Sequence, residues 1–170
     1  MHMKIVGAIF IIFACGSVGF QITAAHKKTE KAMRQLLAGI ELISQELQYR
    51  MSPLPLILKK AAENTNGTAA QFFAQLSDEI DKQVQPNISH CVEEIIASLQ
   101  DTSDLVKDGM TLLGKSLGAF DIEGQVRALD SVHNECSAML SSITNNQDVR
   151  LRNYQTIALC AGIAVAIIFI

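Results

Sequence analysis

A chain of 170 residues with 49% apolar side chains, no Trp and three Pro carries enough hydrophobic matter for one packed domain and too much for a disordered tail. Fourteen Lys and Arg against 17 Asp and Glu leave a net charge of −3, too balanced for a protein that works by neutralising nucleic-acid phosphates. Four scattered cysteines (Cys15, Cys91, Cys136 and Cys160) make no disulfide framework and fit a reducing compartment.

From the N-terminus, Ile5 to Ala25 is 21 residues without a formal charge. As a helix it is about 31 Å long at 1.5 Å per residue, matching a hydrocarbon core of about 30 Å. The competing reading is a cleaved leader, since Met1 to Lys4 is a short basic start and Thr23-Ala24-Ala25 is small. The apolar run exceeds a leader's usual core, and Ala14-Cys15 is followed by more apolar sequence, against a lipoprotein signal. Met33, Leu36, Ile40, Ile43 and Leu47 then step by three or four, so the predicted first helix continues unbroken to Arg50 or Met51.

Ser52-Pro53-Leu54-Pro55 predicts an N-cap and a first-turn proline for a short helix with Leu54, Ile57, Leu58 and Ala61 inward, ending between Asn64 and Gly67. Thr68 to Gln71 has capping-box spacing and opens a helix with Phe72, Phe73, Leu76 and Ile80 inward, closed by Pro86. Ile88, Val92, Ile95, Ile96 and Leu99 mark the next helix. Asp101 to Ser103 start another carrying Val106, Met110, Leu113 and Leu117, with Gly118 as its C-terminal signal. Asp121 is the expected cap of the last helix, whose predicted seam is Ile122, Val126, Leu129, His133, Cys136, Leu140 and Ile143. That helix is expected to feed into a second apolar segment, Tyr154 to Ile170, where Ala158, Gly162 and Ala166 form a small helix face for close packing.

No stretch alternates with period two over strand length, so the predicted class is all-α: a bundle of about six helices over residues 26–153, flanked by transmembrane helices at 5–25 and 154–170. Lys27, Lys28, Lys31 and Arg34 follow the first span and Arg150 and Arg152 precede the second, whereas only Lys4 lies outside. Basic residues stay inside, which places the bundle in the cytoplasm and both termini across the membrane.

Charge is divided along the chain. Residues 1–62 carry 8 basic and 3 acidic groups (+5), 63–108 carry 2 and 9 (−7), and 109–170 carry 4 and 5 (−1). The middle helices are therefore expected to present Asp78, Glu79, Asp81, Glu93 and Glu94, with Asp101, Asp104 and Asp108, to a basic partner surface. Each of these acids taken singly also fits an ordinary solvated helix face.

Two motifs point to chemistry and fail on context. Gly109 to Ser116 matches the G-x-x-x-x-G-K-[ST] phosphate loop and would make the chain a nucleotide hydrolase using Gly114-Lys115-Ser116. Yet the loop must follow a buried strand, and here Asp101, Asp104 and Asp108 precede it on a helical stripe. His90, Cys91, His133 and Cys136 are zinc-ligand types, but adjacent His90 and Cys91 diverge by about 100° on a helix, and His133 and Cys136 belong to the apolar seam. Asn66-Gly-Thr68 and Asn87-Ile-Ser89 match glycan acceptors, without meaning in a cytoplasmic domain. Neither cofactor, metal nor catalysis is expected.

Leu42-Ile-Ser-Gln-Glu46-Leu-Gln-Tyr49 followed by Ser52-Pro53-Leu54-Pro55, then Leu112-Leu-Gly114-Lys-Ser-Leu-Gly118 through Asp121, Glu123 and Gln125, and finally Arg152-Asn-Tyr154 entering a terminal span, agree in order and spacing with one family over essentially the whole length. The chain resembles the stage III sporulation protein AB family of endospore-forming bacteria. The resemblance singles out Glu46, Tyr49, Pro53, Pro55, Gly114, Gly118, Asp121 and Gln125 as family-pattern positions.

The resemblance implies a membrane component, on the mother-cell side, of a secretion-like channel between mother cell and forespore. Its helical domain would be similar to the cytoplasmic domain of type II secretion platform proteins. A secretion-type ATPase, stage III sporulation protein AA, and other channel subunits are the implied partners, and self-association stays open. A third reading, a leader-bearing extracytoplasmic helical module, is decided by the mature N-terminal sequence.

Overall fold

A computed structural model of the chain describes the backbone of residues 2–50, 52–82, 87–117 and 123–145, and the side chains of these from residue 24 onward. Among the described residues there are six helices and no strand: α1 His2–Arg50, α2 Leu54–Asn64, α3 Thr68–Asp81, α4 Ile88–Ser98, α5 Asp104–Ser116 and α6 over residues 123–145. The expectations for Pro86, Gly118, Asp121, Ile122, the segment 154–170 and its face of Ala158, Gly162 and Ala166 lie outside the described residues. The side chains of 5–23 lie outside them too, although the α1 backbone is helical there. No helix among the described residues is long and apolar enough to cross a membrane. The chain divides into two units, Met1–Lys28 with Ser142–Ile170, and Thr29–Ser141.

In the unit Thr29–Ser141, α1 supplies a buried stripe of Met33, Leu36, Leu37, Ile40, Ile43 and Leu47, the periodicity expected. Against it pack Ile57, Leu58 and Ala61 of α2, Phe72, Phe73 and Leu76 of α3, Val92 and Ile95 of α4, and Val106, Met110 and Leu113 of α5. Leu54 and Ile80 are only partly buried at the rim of this core. The Phe72 and Phe73 rings meet edge to face, 5.4 Å apart and 64° inclined. A methyl on Gly39 of α1 would overlap the Phe73 ring, so α1 and α3 touch where one side chain is missing. Gly109 of α5 faces Leu36 of α1 and Cys136 of α6, with 3.0 and 3.2 Å left for an added Cβ.

Helix starts depart from expectation in two places. Ser52 does not cap α2: Pro53 occupies the N-cap position, with no side-chain hydrogen bond to the first turn. Thr68 does not cap α3, because Gly67 holds that position at φ 65°, a left-handed conformation that disfavours Thr, and its carbonyl accepts from Gln71 N at 3.1 Å. Asn87 caps α4 by accepting from Ser89 N at 3.0 Å. Ser103 is the N-cap of α5 but its buried Oγ makes no hydrogen bond, for which the fold offers no explanation.

The α6 seam is met in large part. Gln125, Leu129, Val132 and Cys136 are buried, while Val126, His133, Leu140 and Ile143 are half-buried. The buried line keeps Leu129 and Cys136 of the apolar heptad, adds Val132 and Gln125 beside them, and leaves Val126 and Leu140 packed against the core's edge, a turn of less than one residue position.

Candidate functional site

The acidic residues of α3 and α4 fall into two groups. Asp78 and Asp81 are exposed on the side of α3 that meets α2, where they line a groove of about 680 Å³. Its α2 wall is Pro55, Leu56, Lys59, Ala62 and Glu63, and its α3 wall begins with Ala70, Gln71 and Ala74. Ser77, buried between the walls, donates from Oγ to the Pro55 carbonyl at 2.9 Å, which ties α3 to the first turn of α2.

Glu79 and Glu94 lie on the other side, toward the α3–α4 contact. Burial pushes the Cys91 thiol up from its ordinary range, and the carboxylates of Glu79 and Glu94 push it in the same direction. Glu79 accepts from Lys82 Nζ at 3.1 Å, and Glu94 Oε1 lies 3.6 Å from His90 Nδ1. Glu93 is exposed. The five acids thus supply a rim to the α2–α3 groove and a separate ridge along α3 and α4.

A second concavity, about 470 Å³, lies between α1 and α6. Glu41, Ser44, Gln45, Gln48 and Tyr49 face Leu129, Asp130 and His133 across it. Ser44 Oγ is 3.5 Å from Asp130 Oδ1, and Gln45 Nε2 donates to Glu41 at 3.3 Å. Tyr49 is 78% exposed.

The phosphate-loop match is a helix. Gly109 to Ser116 lies within α5, Gly109 and Gly114 are buried, and Ser116 Oγ donates back to the Leu113 carbonyl at 2.8 Å. A Cβ on Gly114 would come within 2.7 Å of Val92 Cγ2, so the glycine exists to let α4 and α5 touch. The amides a phosphate needs are spent on the helix, which removes the nucleotide-hydrolase reading of Gly114-Lys115-Ser116.

Nor do the zinc-type residues gather. No group of three or more His, Cys, Asp or Glu suited to a metal occurs among the described residues. Cys91 and Cys136 are free and buried in the core, and burial pushes the Cys136 thiol up to about 11. Both are protonated and inert at neutral pH.

The family-pattern residues are mostly structural. Glu46 of α1 accepts from Lys60 of α2 at 3.0 Å and lies 3.6 Å from Arg50. The Lys60 hydrogen bond, followed by the charges of Lys60 and Arg50, holds the Glu46 carboxyl below its usual range against some desolvation. Pro53 caps α2, Pro55 sits in its first turn, Gly114 admits Val92, and Gln125 is buried. Tyr49 alone of the described set has no packing role. Gly118 and Asp121 lie outside the described residues.

The family model of stage III sporulation protein AB matches residues 4–170. The chain belongs to the stage III sporulation protein AB family. Within it, the chain is 26% identical over 122 residues to stage III sporulation protein AB of Bacillus subtilis (strain 168), covering 70% of this chain and 71% of that protein. A solved structure of a stage III sporulation protein AB superposes with a TM-score of 0.63 at 20% identity, covering 72% of this chain and 98% of that one. The family match takes in both apolar segments and all eight pattern positions.

Sequence reasoning found the acidic residues but not their division between two faces, because that depends on which side of α3 meets α2. It missed three links between segments: Lys60 to Glu46, Ser77 to Pro55, and Asn66 N to Gln35 Oε1 at 2.8 Å. Only the first carries a sequence signal, opposite charges on consecutive helices.

Proposed function

We propose that the chain is a non-catalytic membrane platform component of a secretion-like sporulation channel, held at the mother-cell membrane with its helical domain in the cytoplasm. Residues 5–25 and 154–170 are its two spans. Ala158, Gly162 and Ala166 give the second span a face that packs against the first span or other channel subunits. The domain docks a secretion-type ATPase, stage III sporulation protein AA, through the acidic residues of α3 and α4. Energy comes from the partner's hydrolysis, and this chain transmits position or force.

The observation that carries the reading is the membership of a sporulation family in a chain whose middle third holds nine acids against two bases. Its acids at 78, 81, 93 and 94 are exposed on two neighbouring helices. A surface of one sign favours a partner surface of the other and speeds its encounter. The six basic residues beside the two apolar segments support the orientation.

Reversing charge at Asp78, Glu79 and Asp81 together should weaken co-purification of the ATPase about tenfold, some 1.4 kcal/mol, while helicity by circular dichroism stays at the wild-type level. Unchanged co-purification would remove this patch as the docking surface and leave the family membership untouched.

A further inference from the structure

We infer that the α2–α3 groove is a seat for a cationic amphipathic helix of the docking partner, with Leu56 as its apolar anchor; this rests on the platform reading and names how the partner is held at Asp78 and Asp81. Leu56 is 47% exposed, and only it and Tyr49 are large exposed hydrophobics among the described residues. A single exposed leucine is ordinary on a protein surface, and Leu56 matters because it lines a groove that also holds three alanines and three carboxylates.

The shape of the groove says what covers it. Its walls are helix faces, stepping through positions 55, 56, 59, 62 and 63 on α2 and 70, 74, 77, 78 and 81 on α3. Helices packed side by side leave a trough along their shared outer surface, and a third helix fits it when the residues there are small enough for an interaxial distance of about 8–10 Å. Ala62, Ala70 and Ala74 supply that small floor. The two helices are already fixed to each other by Ser77 and Pro55, so the trough does not have to form when the partner arrives.

Charge selects the kind of helix. Glu63, Asp78 and Asp81 stand on the groove against Lys59 alone, a net −2. A helix with an apolar stripe flanked by Lys or Arg places leucine-like side chains against Leu56 and the alanines and its cations against the three carboxylates. An acidic or neutral helix meets the same floor without the paired charges.

Two probes test this on the full-length chain in phosphatidylcholine nanodiscs: the sporulation AA ATPase, and a synthetic amphipathic leucine–lysine helix with a leucine–glutamate counterpart, each read against empty nanodiscs. Ala74→Trp fills the trough from an exposed position and Leu56→Asp removes the anchor. Glu93→Lys with Glu94→Lys alters the other face. Circular dichroism checks that all variants fold.

The expected result is that the lysine helix binds and the glutamate helix does not. Ala74→Trp and Leu56→Asp should each weaken the lysine helix and the ATPase roughly tenfold or more, with the Glu93/Glu94 variant binding the lysine helix within about twofold of wild type. If the lysine helix binds in this way and the ATPase does not bind at all, the groove stands and the ATPase assignment falls. If the ATPase binds wild type and loses affinity on charge reversal at 78, 79 and 81 but ignores Ala74→Trp and Leu56→Asp, the groove inference is overturned and the docking reading survives. Equal binding of the lysine and glutamate helices also overturns it.

Discussion

Val92 Cγ2 and Cβ stand 2.7 and 2.9 Å from where a Cβ on Gly114 would be, and a β-branched side chain has little rotameric freedom to yield. Gly114→Ala should therefore destabilise the protein by about 1–3 kcal/mol, the ordinary cost of overpacking, measurable as a lower midpoint in thermal unfolding followed by circular dichroism. A phosphate-loop role would predict the reverse pattern, intact stability with lost nucleotide binding. The motif's letters were readable in the sequence and so was the acidic, helical context that disqualified them. The reason for the glycine was not, because Val92 lies on a different helix and no local pattern announces a contact across 22 positions.

At the scale of elements, apolar spacing located every helix of the domain, since each must bury one stripe to be stable. Cap residues were harder to read: Ser52 and Thr68 are ordinary N-cap types, yet Pro53 and Gly67 hold those positions, the latter at φ 65°, which glycine tolerates. Glu46 gives α1 and α2 a pH-dependent tie. Its carboxyl titrates below the ordinary Glu range when folded, first through the Lys60 hydrogen bond, so its contribution is complete above the unfolded value and fades as pH falls through the lower folded one. Lys60→Met should raise the Glu46 pKa toward its usual range and flatten the fall of the thermal midpoint in the acid window below the ordinary Glu value. An unchanged acid limb in the variant would mean that other carboxylates dominate that window.

For the whole molecule, the division of charge was legible by counting, whereas the split of the acids between a groove and a ridge required the α2–α3 pairing. The proposed placement of the domain in the cytoplasm is open to direct measurement. Cys91 and Cys136 are buried, with thiols held protonated, so neither is a useful target for labelling. Ser131 is exposed on α6, and Ser131→Cys should resist a membrane-impermeant maleimide in intact cells and react once the membrane is opened. Labelling of intact cells would place the domain outside and favour the leader-bearing module.

Tyr49, standing in water at the rim of the α1–α6 hollow, has an optical consequence. Without tryptophan, the native ultraviolet emission of this chain comes from two phenols, Tyr49 and Tyr154. A ligand entering that hollow would shield or quench one of the two emitters, whereas a helix seated over Leu56 would leave the Tyr49 ring in solvent. The unlabelled protein thus carries its own means of telling which of its two recesses a visitor has entered.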